Sequence, residues 1–295
     1  MVAWHLRVDL HTHTSYSDGL DSPATLVAKA AQQGVHSLAI TDHDILAALP
    51  EAQQAGYDCG VEVLVGVELT MQYKQYDDIH LLGYFFDPTH AALQARLALA
   101  QQHRLQRGVE MLERINALLQ QDGKAPLDQE RVLQSARGAL TRPHLAHALI
   151  ARGYASSVQN AFENFLIPCN VPKASMAPEE AFALIAQAGG VCSLAHPGTL
   201  STDPAVVHPL LDAFKAMGLV GLEVYHHCHY PDAMAFFQNC AARYGLVATG
   251  GSDYHGRPEG AILGQIAPGY AVPEHVLPDL VRAHAACVPG GQGTR

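Results

Sequence analysis

Residues 6–18 read LRVDLHTHTSYSD, a short apolar run closed by two histidines, with an aspartate five residues beyond the second. A run this short between polar punctuation reads as a buried strand. Six further runs have the same character, at 37–40, 61–67, 79–85, 190–195, 218–225 and 245–249, and with 6–10 they make seven strand candidates. Helical patterns separate them. Ser22 can cap a helix with Pro23 at its first position and Gly34 past its end, and Pro231 opens another that Gly245 closes. Strands alternating with helices predict an α/β protein with parallel strands, either a barrel or a large open sheet.

The rhythm breaks between about 98 and 173, where helix follows helix. AQQHRLQRGVEMLERINALLQQ sets Leu105, Val109, Leu112, Ile115 and Leu119 on one face, and Asp122-Gly123 stops it. Shorter helical pieces follow at 129–136, 143–151 and 157–165. The expected organisation is a discontinuous barrel of 1–98 and 174–295 carrying a helical insertion, 99–173. The tail PGGQGTR reads as flexible.

Composition bounds the function. The chain has 295 residues, 48% hydrophobic and 16% charged, which suits a compact protein and excludes a disordered or collagenous one. Its formal charge of -10 argues against a broad basic face for duplex DNA, so a phosphate-bearing ligand needs a local device. No apolar run approaches the roughly 20 residues of a membrane helix, and the first residues lack a signal-peptide pattern; a cytoplasmic location is expected. Six scattered cysteines with no CxxC pair read as reduced thiols.

Histidine is the unusual entry in the composition, with 18 residues. His11, His13 and Asp18 follow the first strand, Asp42 and His43 the second. Glu68 ends the third and His80 sits on the fourth. His196 follows the fifth in AHPG, and Asp253 and His255 follow the last in GSDYH. In an α/β barrel the C-terminal ends of parallel strands meet on one rim, so these residues are aimed at one place. Imidazole and carboxylate suit Zn, Fe or Mn, and the set contains no thiolate. Nine ligands exceed one ion's needs and would serve two or three divalent cations; Mn2+ is the first expectation, Fe2+ or Zn2+ the alternatives. With Asp18, Glu68 and Asp253 against three such ions, the local formal charge would be about +3, which suits a phosphate.

HTHTSYSDG, ITDHD, GVELT, the histidine of IHLLGY, LAHPG and GSDYHG, in this order across residues 9–256, resemble the polymerase and histidinol phosphatase (PHP) family. The resemblance implies a distorted (β/α)7 barrel around a metal cluster. It places His11, His13, Glu68 and Asp253 around one metal, Glu68 bridging to a second held by His80 and His196, and Asp18, His43 and His255 around a third. The helical insertion and the element Arg142-Pro143-His144 resemble a branch acting on nucleotide phosphates, some members removing the 3'-phosphate of nucleoside 3',5'-bisphosphates and others degrading short RNA from its 5' end. Arg142, His144 and either Lys173 or Arg257 would clamp a second phosphate, because guanidinium matches phosphate oxygens.

Blander readings stand beside these. Asp42 either orients His43 or caps the following helix, and the supporting role is preferred. Arg104 and Arg107 read as a solvated helix face, and His226, His227 and His229 as a polar rim loop. The expected reaction is attack on phosphorus by water activated by the cluster, with the general acid unassigned. The expected substrate is pAp, giving AMP and phosphate. Alternatives are 5'-3' exoribonuclease action on short 5'-phosphorylated RNA, histidinol phosphate phosphatase, and a noncatalytic PHP module. The expected partner is thus a small nucleotide or a short oligoribonucleotide, with no membrane; oligomeric state is not legible.

Overall fold

A computed structural model describes residues 7–135 and 140–287. Leu6, Ala136 and the tail PGGQGTR lie outside them. The strands are β1 (Arg7–Thr12), β2 (Val35–Ile40), β3 (Glu62–Tyr73), β4 (Tyr76–Tyr84), β5 (Val191–Leu194), β6 (Leu219–Tyr225), β7 (Val247–Gly250), β8 (Gln265–Ala267) and β9 (Tyr270–Ala271). The helices are α1 (Pro23–Gln32), α2 (Leu49–Cys59), α3 (Ala91–Gln121), α4 (Gln129–Ser135), α5 (Arg142–Ala151), α6 (Val158–Ala161), α7 (Pro178–Gln187), α8 (Pro204–Met217), α9 (Pro231–Tyr244) and α10 (Val276–Cys287). Strands β1 to β7 form one sheet in sequence order, and β8 and β9 a separate hairpin. The predicted caps are present. The Ser22 side chain accepts from the Thr25 N–H with Pro23 in the first turn, and Gly245 ends α9 in the left-handed conformation.

Two expectations about the strands are corrected. β4 is antiparallel to both β3 and β5, whereas the other pairs are parallel, so the sheet is mixed. Glu68 does not end the third strand, which runs on to Tyr73 and turns through Lys74 at φ 55° into β4. The turn QYKQY contains neither glycine nor asparagine, so it carries no hairpin signature. His80 therefore reaches the rim from the middle of its strand, opposite Thr70.

Period-two alternation sorts the strands. Val67, Leu69, Met71, Ile79, Leu81, Leu222 and Val224 face the helices in the main core, while the intervening Glu68, His80 and Glu223 face inward. Lower on the inner face, Val8, Leu10, Leu82 and Tyr84 pack on Val276 and Leu280 of α10. The sheet curls until its edges are stitched beyond β7: Asp253 N–H donates to His11 O at 2.8 Å, and His13 N–H to Tyr254 O at 2.9 Å. This seam brings two ligand-bearing segments, over 240 residues apart in sequence, onto one rim.

α3 has 31 residues and passes uninterrupted through position 98. Leu93 and Leu97 belong to the main core, whereas Met111, Leu112, Ile115 and Leu119 belong to a second hydrophobic cluster with Leu127, Leu145, Leu149, Phe165 and Val171.

The seam tolerates no added bulk. A Cβ on Gly251 would lie 2.4 Å from both the Cβ and the backbone nitrogen of His11. Gly251→Ala is expected to cost about 1–3 kcal/mol in urea denaturation through overpacking, and to lower metal content by displacing His11.

Candidate metal centre

The rim brings together the nine sequence-predicted ligands around one buried carboxylate. Glu68 Oε1 lies 3.0 Å from His80 Nδ1 and 3.1 Å from His196 Nε2. Its Oε2 lies 3.0 Å from His43 Nδ1, 3.2 Å from His13 Nε2 and 3.4 Å from His11 Nε2. Asp253 Oδ1 stands 3.1 Å from His13 Nε2 and 3.4 Å from His11 Nε2, and Asp18 Oδ1 stands 3.1 Å from His255 Nε2. His13, Asp18, His43 and His255 gather at one end, and His43, Glu68 and His80 at another.

Five of the imidazoles have their outer nitrogen committed. His11 Nδ1 donates to Glu223 at 3.0 Å, His80 Nε2 to Asp78 at 3.0 Å and His255 Nδ1 to the Asp253 carbonyl at 2.8 Å. Thr199 gives its hydroxyl proton to the His196 carbonyl and so accepts from His196 Nδ1 at 3.1 Å. Ser17 likewise gives its proton to Asp42 at 2.6 Å and faces His13 Nδ1 at 3.4 Å. With the outer N–H engaged, the inner nitrogen turns a lone pair toward the cluster, as metal-bound histidines do. The expected support of His43 by Asp42 is corrected. Asp42 accepts from the Thr14 N–H, the Thr14 hydroxyl and Ser17, so it holds the 13–18 loop and, through Ser17, His13.

The donor set fits divalent metal. Lone pairs and carboxylate oxygens packed at 3.0–3.4 Å repel unless a cation or a proton lies between them, and the spacing matches the cis edge of a metal polyhedron, about 2.9–3.4 Å for bonds near 2.0–2.1 Å. Glu68 Oε2 and His43 Nδ1 are both buried and have no hydrogen-bond partner despite their separation of 3.0 Å. Two ligand residues also have left-handed backbone, His196 at φ 23° and Asp253 at φ 55°, conformations that cost about 1–3 kcal/mol each and concentrate at functional sites.

Without a metal, protons take up the charge. Burial pulls His13 down, but Asp253 and Glu68 outweigh it and push the imidazole up to about 10. Burial is likewise outweighed at His80, which Glu68 and Asp78 raise to about 9. Burial dominates at His43, which falls to about 3, with His13 and His80 adding to the effect. Glu68 and Asp253 stay ionised because their histidines overcome the burial that opposes it.

Arg104, Arg107, Arg142 and Lys173 line one cavity with Asp18, His43 and His80. Arg104 pairs with Asp44, which also accepts from the Thr70 N–H and hydroxyl at 2.9 Å. Lys173 Nζ lies 2.5 Å from Asp78 Oδ1, and Arg107 Nε donates to Val171 O at 2.7 Å. Arg142 lies over the Phe162 ring, 5.4 Å from its centroid. Arg104 and Arg107 thus border the cavity, correcting their reading as a solvated face. His144 is set apart. Its Nδ1 caps α5 by accepting from the Thr141 N–H at 3.2 Å, and it lines a different cavity with Leu127, Arg131 and His147. Arg257 stays at the outer edge, 45% exposed and 3.9 Å from Asp18.

Sequence reading missed Glu223, which donates nothing but accepts from both His11 Nδ1 and, at 2.7 Å, the His196 N–H. The available signal was an acid in the apolar run LVGLEVY. It also missed His226, which is 1% exposed with Nε2 3.5 Å from Asp253 Oδ2; with His229 buried as well, a plain rim loop is excluded.

Comparisons with known proteins give the family. The PHP domain family model matches residues 9–156. A 3',5'-nucleoside bisphosphate phosphatase of Chromobacterium violaceum is 32% identical over 86% of this chain and 89% of its own. A 5'-3' exoribonuclease of Haemophilus influenzae is 33% identical over 84% and 90%. The solved structure of a Bifidobacterium adolescentis protein assigned to the metal-dependent phosphoesterases superposes with a TM-score of 0.81 at 32% identity, covering 94% of this chain and 96% of that one. The chain belongs to the PHP domain family, as a phosphoesterase with candidate His, Asp and Glu metal sites. Among the described residues no helix is long and apolar enough to cross a membrane.

Two outcomes are expected. Glu223→Gln keeps the shape but weakens the anchor of His11 and His196, and should lower metal affinity by about 10–100-fold, read as metal retained after a chelator challenge. Because metal-free His13 and His80 hold protons up to about 10 and about 9, metal uptake must expel them. Apparent affinity for a divalent cation should therefore rise from pH 6 to pH 8 by about one order of magnitude per unit for each proton released, with the protons themselves measured in weakly buffered solution.

Proposed function

We propose that the protein is a metal-dependent phosphomonoesterase that removes the 3'-phosphate of nucleoside 3',5'-bisphosphates, as in pAp to AMP and phosphate. The observation that carries this reading is the sharing of one cavity by the metal-type ligands and a cation cluster. Arg104, Arg107, Arg142 and Lys173 border the cavity, and Asp44 and Asp78 offset two of these four charges. The remaining excess is felt within the group: burial, then Arg142 and Arg104, lowers the Arg107 pKa. A doubly charged phosphate relieves that repulsion, and guanidinium groups match its oxygens.

The residues take separate roles. His11, His13, Asp18, His43, Glu68, His80, His196, Asp253 and His255 would hold two or three divalent cations, with Mn2+ the first choice for this nitrogen and oxygen set and Fe2+ or Zn2+ the alternatives. Such ions, when bound, lower the pKa of water and neutralise phosphoryl oxygens. Glu223, Asp78, Thr199 and Ser17 hold imidazoles in the ligating tautomer. Arg142 and Lys173, joined by Arg104 and Arg107, orient the substrate by its second phosphate, so that the ester to be cut rests against the ligand cluster. In this reading the helical segment 99–173 is an insertion in the barrel that supplies the substrate grip, since it contributes these four basic residues.

The test is phosphate release from pAp, 3'-AMP, 5'-AMP, histidinol phosphate and a 5'-phosphorylated trinucleotide, with each metal in turn. Preference for pAp is expected, and Arg142→Ala should raise its KM by about 10–100-fold, corresponding to a lost charge-assisted contact of about 1.5–3 kcal/mol, with a smaller change for 3'-AMP, which lacks the second phosphate. Mononucleotide release from the trinucleotide with poor turnover of pAp would overturn the monoesterase reading in favour of an exoribonuclease. Retained activity in Asp253→Ala or His196→Ala would remove the assigned centre.

A further inference from the structure

Beyond the principal cluster lies a second group of metal-type donors, in the turn that follows β6. His226, His227 and Cys228 each offer one donor atom, and these atoms lie within 4.8 Å of one another. We propose that this turn is a binding site for a single soft transition-metal cation of the zinc class, separate from the principal cluster.

The orientation of the rings supports it. His227 Nδ1 donates to the Ser252 carbonyl at 2.8 Å, which fixes the proton there and leaves the Nε2 lone pair facing Cys228 Sγ at 3.2 Å. Commitment of one ring nitrogen to a carbonyl while the other faces the ligand position is the arrangement seen around metal-binding histidines. The sulfur-to-nitrogen distance is close to the tetrahedral edge expected from bonds near 2.3 and 2.0 Å, roughly 3.5 Å. His226 turns Nε2 toward Asp253 Oδ2 at 3.5 Å, so its Nδ1 is the atom on the side of the turn. That Nδ1 now accepts the Cys228 N–H at 3.1 Å, and a cation would take the place of this hydrogen.

The turn is also held in advance. The His229 N–H closes it onto His226 O at 3.0 Å. His229 then donates from Nδ1 to Val224 O at 2.9 Å and accepts the Gly198 N–H on Nε2 at 3.0 Å, while His227 is tied to Ser252 on the other side. Little ordering remains for the ligand to impose. His227 and Cys228 are exposed, so a cation has access.

The donor chemistry sets the selectivity. One thiolate with two neutral imidazoles prefers Zn2+, Co2+ or Cu+ to Mn2+ or Mg2+, the reverse of a carboxylate-rich centre. Three protein donors leave a fourth position to solvent. Since the His226 ring stands between the turn and Asp253, occupancy here would bear on the orientation of a principal ligand.

Cobalt is the direct probe, because a thiolate-to-Co2+ charge-transfer band in the near ultraviolet requires sulfur, and the nine principal ligands contain none. That makes the readout independent of what the principal cluster binds or hydrolyses. Titrating the reduced full-length chain with Co2+, past the amount the principal cluster takes up, should develop the band to the saturating amplitude of one thiolate-bound Co2+ per chain, and Zn2+ should then displace it. C228S should abolish the band, and H227Q should weaken the Co2+ affinity at this site at least tenfold. No band in the wild-type chain would overturn the proposal. So would a band persisting in C228S, which would assign it to the exposed Cys59 or Cys287, or an unchanged affinity in H227Q.

Discussion

Five imidazoles crowd the two oxygens of Glu68 at 3.0–3.4 Å, and the rest of the rim is arranged to sustain that crowding. A carboxylate buried to 1% exposure is costly unless positive charge surrounds it. Here the positive charge comes from protons that His11, His13 and His80 hold against their own burial, or from cations. The sheet makes the crowding possible. Period-two alternation turns Glu68, His80 and Glu223 inward between helix-facing apolar residues, and the stitched edge beyond β7 carries Asp253 and His255 back to His11 and His13.

Outside this group stands a ring of residues whose work is orientation. Glu223 reaches two ligands from different strands, Asp78 joins Lys173 to His80, and Ser17 connects His13 to Asp42. Asp78 therefore serves two neighbourhoods with one carboxylate: the position of the Lys173 ammonium and the tautomer of His80 are coupled through Asp78 Oδ1. Asp44 plays a similar part between Arg104 and the β3 backbone at Thr70.

Much of this was legible in the sequence, for a physical reason. Strands that end on a common rim place their following residues in one spot, so HTH, TDH, AHPG and GSDYH could be read as one cluster without knowing any distance. The β3–β4 hairpin was not legible, because QYKQY lacks the residues that tight turns favour and Lys74 takes the left-handed conformation under tertiary constraint. Arg104 and Arg107 sit on the polar face of an amphipathic helix, and a sequence pattern does not distinguish a face turned to solvent from one turned to a cavity. Asp42 lies beside His43 in sequence yet serves Ser17, 25 residues away; local adjacency suggested the wrong recipient. Arg142-Pro143-His144 divides for the same reason: successive helical residues point in different directions, so Arg142 borders the cavity while His144 turns back to cap its own helix.

The course of α3 also bears on the cavity beside the rim. Its 31 residues, a rod of about 46 Å, are anchored in the barrel core at Leu93 and Leu97 and in the second cluster from Met111 onward, with Arg104 and Arg107 between the two anchors. The return path is tied to the same rod, since Arg107 and Arg114 hold the backbone at Val171 and Asn170. A roof beam seated at both ends carries its load between the supports. The place of Arg104 and Arg107 beside the ligand-bearing rim is consequently set by packing in two separate cores, and a change in either core would be felt at the cavity.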